Sequence, residues 1–154
     1  MNIFGIAGLL RELSARGLTV SSIKHAHHEF DLDRPGKDSF QHREAGARQV
    51  LIASHTRWTL MHELRGATEP GLSELLTHLS PVDLVLVEGF KGEPHSKLEV
   101  RRADASGPLL ADSDSTIVAI AADMPVTAPG RAVFSLNDVK TIADFIIRHT
   151  AVRI

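Results

Sequence analysis

Short apolar runs alternate along the chain with segments whose apolar residues recur every three or four positions. An apolar run of about four to eight residues predicts a strand, and the longer spacing predicts one face of a helix. Strands are predicted at residues 2–7, 18–24, 49–54, 57–63, 82–89, 97–100 and 116–123. Helices are predicted at residues 9–16, 39–47, 72–79 and 139–149. This alternation is typical of an α/β fold in which helices cover both faces of a mostly parallel sheet.

Local sequence signals refine these elements. Gly17 is placed to end the first helix, and Ser135 or Asn137 is placed to begin the last one. The unbroken run VDLVLVEG predicts a central strand buried on both faces. Asp83, at the start of that strand, is expected to be structural, and Trp58 is expected in the core or at a subunit interface.

Composition narrows the class of protein. The 154 residues suit one domain, 1–154, and no apolar run is long enough to cross a bilayer. The start MNIFGIAGLL has no basic leader, so a cytoplasmic protein is expected. The chain has no cysteine, which excludes disulfides and thiolate chemistry. A net charge of -2 gives no electrostatic footprint for nucleic acid, and nine histidines are the one unusual feature.

The residues that follow the strands are the first candidates for chemistry, because ligands of open parallel sheets bind outside the carboxyl ends of the strands. Gly8, the Lys24-His25 pair, the Glu88-Gly89 pair and Asp123 each follow a predicted strand. A carboxylate followed by glycine suits Mg²⁺ or its bound water, so Glu88 is the metal candidate. A solvated strand-end charge is the alternative.

The histidine-rich stretch KHAHHEFDLDRPGKDS has three interpretations. His25, His27 and His28, with Asp31 and Asp33 nearby, could bind a transition metal. A polar surface loop is the second interpretation. The third is a phosphate-sensing loop, formed by Lys24, Lys37, Asp38 and Ser39.

The Gly36-Lys37 pair within this stretch invites comparison with a phosphate-binding loop of the pattern G-x-x-x-x-G-K-[ST]. The match fails, because position 31 is Asp31 and position 38 is Asp38. The chain also has the basic pair Arg101-Arg102, for which a solvated strand end is the simpler interpretation.

Four segments together resemble the molybdopterin-guanine dinucleotide biosynthesis protein B family, MobB. They are, in order, KHAHHEFDLDRPGKDSFQHREAGA, RWTLMHEL, PVDLVLVEGFKGEPHSKLEV and IVAIAADMP. The resemblance covers essentially the whole chain. It implies a P-loop NTPase-like three-layer sandwich, with a mostly parallel sheet, helices on both faces and an antiparallel extension.

The resemblance also implies a function. MobB proteins are GTP-binding accessory proteins of molybdenum cofactor biosynthesis that assist the guanylyltransferase MobA. The implied cofactors are GTP and Mg²⁺, and the implied partners are MobA, molybdopterin and a second copy of the chain in a homodimer. At most a weak GTPase activity is expected.

Site residues are carried over by position. Glu88 matches the segment that lies near Mg²⁺, and Asp123 occupies the place of a carboxylate that could contact a guanine ring. The residues expected to contact nucleotide are Gly5, Gly8, Lys24, His25, Asp38, Ser39, Gly89 and Asp123.

One departure from the family lies between Gly8 and Leu9. The family pattern that the resemblance implies is a strand, then a glycine-rich loop ending in Gly-Lys-Thr-Thr, and then a helix. Here Leu9 follows Gly8 directly. A helix at 9–16 would rise only about 12 Å, against roughly 20 Å for a strand of about six residues. Such a helix is too short to return the chain comfortably to the start of the next parallel strand. We therefore expect a loop between Gly8 and Leu9 that the sequence does not record.

The alternative is a carrier or scaffold that has lost the loop and binds only pterin or the transferase. The β-rich segments QVLIAS and RWTLMHE could form the dimer contact by extending a sheet across a twofold axis.

Overall fold

The computed structural model describes residues 5–26, 30 and 32–152. These residues form helices, strands and one 3₁₀ turn at Leu110–Asp112. The other elements, in chain order, are α1 Ile6–Ala15, β1 Val20–Lys24, α2 Asp38–Glu44, β2 Gln49–Ala53, β3 Trp58–His62, α3 Leu72–Thr77, β4 Leu84–Glu88, β5 Lys97–Arg101, β6 Ile117–Ala122, β7 Ala132–Ser135 and α4 Val139–Thr150. Among the described residues, none of the helices combines the length and apolar composition that a membrane span needs.

The chain divides into two compact units. The first comprises residues 1–25 and 79–154, and it contains α1, β1, β4 to β7 and α4. The second comprises residues 26–78, and it contains α2, the β2·β3 pair and α3. The single domain expected over 1–154 stays a prediction.

Parallel pairing dominates the first unit. β1 and β4 pair in register from Val20 with Leu84 to Lys24 with Glu88. A three-stranded sheet has the order β5-β6-β7, also with parallel neighbours. The second unit contains the antiparallel pair, β2 with β3. The predicted α/β class, mostly parallel with an antiparallel extension, is confirmed.

The main hydrophobic core lies between the helices α1 and α4 and the strands of the first unit. Leu13 of α1 and Ile142 of α4 are fully buried, together with Ala121 of β6. Side chains alternate along a strand, so the neighbouring residues of β6 face the other way. Ile120 and Ala122 pack there against Ala111 of the 3₁₀ turn.

The burial and pairing of the strands make β6, and not β4, the central buried strand. β6 is almost entirely buried, whereas β4 is half-buried and pairs only with β1 among the described residues. The prediction that VDLVLVEG forms the central buried strand is therefore wrong. The strand β7 was not predicted, since Ala132–Ser135 is too short to give a clear alternation.

The predicted first strand is also wrong where it can be compared. Gly5 caps α1, and Ile6 and Ala7 belong to it, while residues 2–4 lie outside the described residues. Helical spacing explains the difference, because Leu9 and Leu13 are four residues apart and both are buried. Packing this face against α4 favours the helix over an extended chain.

The helix ends are set by identifiable groups. Gly17, which follows the C-cap residue Arg16 of α1, has φ +89°, as its predicted capping role requires. α4 is capped instead by Asp138, whose carboxylate accepts a hydrogen bond from the Thr141 backbone N–H at 3.1 Å. The predicted caps Ser135 and Asn137 are therefore wrong, because the aspartate one residue later reaches the first turn.

Asp83 joins the beginnings of β1 and β4. Its carboxylate accepts hydrogen bonds from the Thr19 backbone N–H at 2.7 Å and from the Thr19 hydroxyl at 2.6 Å. The Thr19 hydrogen bonds lower the pKa of Asp83. The structural role predicted for this residue is confirmed.

Asp114 provides a similar anchor before β6. Its carboxylate accepts a hydrogen bond from the Thr116 backbone N–H at 2.9 Å and one from Lys97 Nζ at 3.1 Å. Hydrogen bonds from Thr116, and then from Lys97, lower the pKa of Asp114 from 3.8 to about 2.

Acid should therefore weaken this anchor over a defined pH range. A carboxyl group whose pKa is lower in the folded state stabilises the fold above the unfolded pKa, and it loses this contribution as the pH falls through the folded pKa. With values of 3.8 and about 2, the loss falls between about pH 4 and pH 2. We expect Asp114→Asn to lower the free energy of unfolding at pH 7 and to differ little from the parent chain near pH 2. Urea unfolding across this range measures the difference, and an equal difference at both pH values would contradict the assignment.

Candidate functional site

The candidate site lies where β1 and β4 end together. Lys24 and Glu88 are direct partners in the parallel ladder, and Lys24 Nζ lies 3.3 Å from Glu88 Oε1. Both side chains are largely exposed, at 69% and 52%. An exposed ion pair of this kind stabilises the fold little. The pair therefore leaves both charges accessible to a ligand.

The ladder continues one residue beyond β1. The His25 backbone N–H donates a hydrogen bond to the Glu88 carbonyl at 2.8 Å. Gly89, opposite His25, has φ +98°, and a Cβ built on it would lie 2.6 Å from His25 Cβ. Any other residue at position 89 would meet both a strained backbone and a steric clash. Gly89 thus allows the two strand ends to approach this closely.

Phe90 is the residue that the sequence analysis missed. It has φ +50°, an uncommon conformation for a bulky side chain. Its ring centroid lies 4.7 Å from that of His25, with 31° between the planes. The only sequence signal is its position directly after a strand-end glycine, which does not reveal the ring contact.

Gly5 and Gly8 belong to the start of α1, not to a strand end. Gly5 is the residue before the helix, and its carbonyl accepts a hydrogen bond from the Gly8 N–H at 2.9 Å. Gly8 is buried, and α1 continues without interruption into Leu9. The loop expected between Gly8 and Leu9, which the sequence does not record, stays a prediction. Neither the lysine nor the hydroxyl of a phosphate loop is present at this helix start.

Asp38 and Ser39 lie in the second unit, where they begin α2. The Ser39 hydroxyl donates a hydrogen bond to Asp33 Oδ1 at 2.9 Å, and the Arg34 backbone N–H donates to the same oxygen at 2.9 Å. Asp33 thereby closes the turn that precedes α2. A contact of Asp38 or Ser39 with nucleotide stays a prediction.

Asp123 follows β6 and holds the end of β5. Its Oδ1 accepts a hydrogen bond from the Ala103 backbone N–H at 2.8 Å, and its own N–H donates to the Arg101 carbonyl at 3.3 Å. No hydrogen bond or ion pair within the described ranges joins it to Lys24 or Glu88. A contact with a guanine ring stays a prediction.

The metal interpretations can be compared with the available donors. His27, His28 and Asp31 lie outside the described residues. Across residues 5–26, 30 and 32–152, no three His, Asp or Glu side chains are grouped so that they could hold a metal ion. Mg²⁺ usually binds one or two carboxylates together with phosphate oxygens. Glu88 can supply one such carboxylate. The residues at the start of α1 do not fit a phosphate-loop nucleotide site, because they include neither its lysine nor its hydroxyl.

Comparisons with known proteins place these residues in context. Residues 6–123 match the family model described as molybdopterin guanine dinucleotide synthesis protein B. An Escherichia coli protein, named molybdopterin-guanine dinucleotide biosynthesis adapter protein, is 41% identical over 143 residues, covering 90% of this chain and 81% of its own length. A Haemophilus influenzae protein of the same name is 38% identical over 138 residues, covering 90% of this chain and 76% of its own length.

Solved structures show the same fold. A crystal structure of molybdopterin-guanine biosynthesis protein B has a TM-score of 0.72 at 25% identity, covering 94% of this chain and 89% of its own. A MobB homolog from Bacillus stearothermophilus has a TM-score of 0.66 at 22% identity, covering 96% and 88% of the two chains. The predicted P-loop NTPase-like fold class is therefore confirmed.

The close approach at Gly89 gives a stability prediction. We expect Gly89→Ala to lower the free energy of unfolding by about 1–3 kcal/mol, because the added Cβ meets His25 and the backbone has a positive φ. Gly92→Ala is the matched control, since a Cβ there meets nothing within 4 Å. Urea unfolding of both variants measures the effect. Equal stability of the two variants would show that the strand ends do not approach as described.

Proposed function

The chain belongs to the molybdopterin guanine dinucleotide synthesis protein B family, and from that premise we propose that it acts as an adapter which binds the guanylyltransferase of this biosynthesis. In this role it engages its partner enzyme and the pterin product by surface contacts. Nucleotide hydrolysis is not part of the role.

A single observation carries this proposal. α1 runs unbroken from Ile6 to Ala15 through the point where a phosphate loop would have to stand. In phosphate-loop proteins the backbone amides and the lysine of that loop supply the main phosphate contacts, and its hydroxyl holds magnesium. Without those groups, other residues would have to supply the binding free energy for a nucleoside triphosphate. An adapter role needs none of them.

GTP with Mg²⁺ is a second candidate ligand. The observation that favours it is the Glu88 carboxylate at the end of β4, with the Lys24 ammonium 3.3 Å away. One carboxylate could share a magnesium ion with phosphate oxygens, and Lys24 could offset phosphate charge. GTP would bind weakly at such a site, because the backbone N–H groups of a phosphate loop would not contribute to it.

Two binding measurements on the full chain separate these candidates. We expect purified guanylyltransferase to be captured by the immobilised chain, and titration calorimetry with GTP and Mg²⁺ to give no measurable binding. Lys24→Gln should weaken capture, because it removes an exposed charge at the strand ends. The same substitution at Lys140, in the first turn of α4, is the matched control and should leave capture unchanged.

The contrary outcomes are distinct. Absence of capture by the parent chain would contradict the adapter proposal. Micromolar GTP binding that is lost in Glu88→Gln would support the second candidate in its place.

A second copy of the chain is a further proposed partner, and the β2·β3 pair of the second unit supports it. Leu51 lies opposite Leu60, and Ala53 lies opposite Trp58, on one face of the pair. Three of these side chains are strongly exposed, at 60% for Leu51, 44% for Leu60 and 67% for Trp58. Exposed apolar residues grouped on one strand face commonly mark a protein interface. Trp58 is thus not in the core of its unit, and its interface role stays a prediction.

A charge on this face tests the proposed homodimer. We expect the parent chain to have a dimer mass by light scattering, and Leu51→Glu to shift it to the monomer because a carboxylate would be buried at the contact. His55→Glu adds the same charge at the exposed turn of the same strand pair, so it should leave the dimer intact. A monomer mass for the parent chain would overturn the proposal.

A further inference from the structure

The exposed apolar face of the β2·β3 pair carries a histidine at one end. Leu51 and Leu60 lie opposite each other on this face, and the next pair along the same face is Gln49 with His62. Both of these polar side chains are exposed, and Gln49 Nε2 lies 3.1 Å from His62 Nδ1. A second copy that covers the two leucines therefore lies next to this histidine.

The contact with Gln49 determines which ring nitrogen of His62 accepts a hydrogen bond. An amide nitrogen only donates, so Nδ1 is the acceptor, and the neutral ring carries its proton on Nε2. Protonation of Nδ1 replaces this acceptor by a donor, so that two donors face each other. The hydrogen bond is then lost until the amide turns its oxygen toward the ring.

Within the β2·β3 ladder, no other charged or titratable side chain shares this face with His62. Side chains alternate along a strand, so Arg48 and Glu63, which flank the polar pair, point to the opposite face. The helix α2 packs on that opposite face, where Arg43 is bonded to Glu63 at 3.1 Å. Among the residues that the structure describes, no ion pair involves His62. The other titratable groups of α2 are Asp38, His42 and Glu44.

A protonated His62 would thus have no counter-charge within its own strand pair when a second copy covers this face. Burying an ion without a counter-charge costs much more free energy than burying a neutral imidazole. In a twofold contact each copy contributes the same residue, so this cost arises twice. Histidine is also the side chain whose charge ordinarily changes between about pH 5 and pH 8.

We propose that His62 makes the homodimer pH-dependent: two copies associate through this face while the imidazole is neutral, and they separate when it is protonated. The inference rests on the homodimer proposed above. The sign follows from linkage, because the monomer accepts the proton more readily than the dimer does. Acid therefore shifts the equilibrium toward the monomer.

Light scattering over a dilution series of the full chain, at about pH 8 and about pH 5.5, tests this dependence. We expect the dissociation constant of the dimer to be about tenfold larger or more at the lower pH. His62→Gln is neutral at both pH values, so its dimer should be equally stable at both. His55→Gln is the matched control, because it removes a histidine from the exposed turn of the same strand pair and should keep the pH dependence of the parent chain. An equal response of the two variants would assign the effect to general charge repulsion and would overturn the inference.

A carboxylate opposite His62 should reverse the pH dependence. Gln49→Glu places this group directly across the strand pair from the imidazole. The two groups can form an ion pair when the imidazole is protonated, whereas at about pH 8 the carboxylate has no counter-charge. We therefore expect this variant to dimerise more weakly at the higher pH. Circular dichroism at both pH values ensures that the masses refer to folded chains, and a pH dependence of the same sign as in the parent chain would contradict the inference.

The two proposals can fail separately. If the parent chain is a monomer at both pH values, the homodimer proposal fails, and the role of His62 fails with it. If the parent chain is an equally stable dimer at both pH values, only the role of His62 fails, and the homodimer proposal stands.

Discussion

The in-register parallel pairing of β1 with β4 is the interaction on which the candidate site depends. Asp83 fixes its beginning by accepting two hydrogen bonds from Thr19, and the His25 N–H bond to the Glu88 carbonyl extends it beyond the strands. Between these ends the register sets Lys24 against Glu88 and His25 against Gly89. A slip of one residue would move every side chain of β1 to the other face, and the ion pair and the ring contact would both be lost.

The start of α1 sets a second constraint, on what the site can bind. α1 packs through Leu13 against the same core as Ile142 of α4, and Arg16 at its end is bonded to Asp144. The helix is thereby held as a short, continuous element with Gly8 buried in its first turns. A phosphate loop binds through backbone amides that are free to face a ligand. Here the Gly8 amide is already bonded to the Gly5 carbonyl, and no lysine follows. The family fold is kept, while the described start of α1 lacks the lysine and the hydroxyl that would hold phosphate and magnesium there.

Much of the fold could be predicted from the sequence, because its strands carry strong apolar patterns. Six predicted strands correspond to β1 to β6, and Gly17 and Asp83 have the roles expected of them. The first predicted strand is wrong at Ile6 and Ala7, because a short apolar run fits a helix face as well as a strand, and packing against α4 decided between them. Strand-end reasoning correctly joined Lys24, His25, Glu88 and Gly89. It could not find Phe90, because a positive φ and a ring contact across two strand ends leave no pattern in the sequence. It also grouped Asp123 with this site, although hydrogen bonds with Ala103 and with Arg101, at the end of β5, already engage its carboxylate and its N–H.

Amide hydrogen exchange at the start of α1 is the most direct test of the feature that separates this chain from a phosphate-loop nucleotide-binding protein. In an unbroken helix, the amides of Leu10 to Leu13 are bonded to carbonyls one turn earlier, and they exchange slowly in the native state. We expect this protection in the full chain without nucleotide, and no change when GTP and Mg²⁺ are added. Fast exchange without nucleotide, followed by protection when GTP and Mg²⁺ are added, would show that this segment is a ligand-ordered loop. That result would contradict the adapter role.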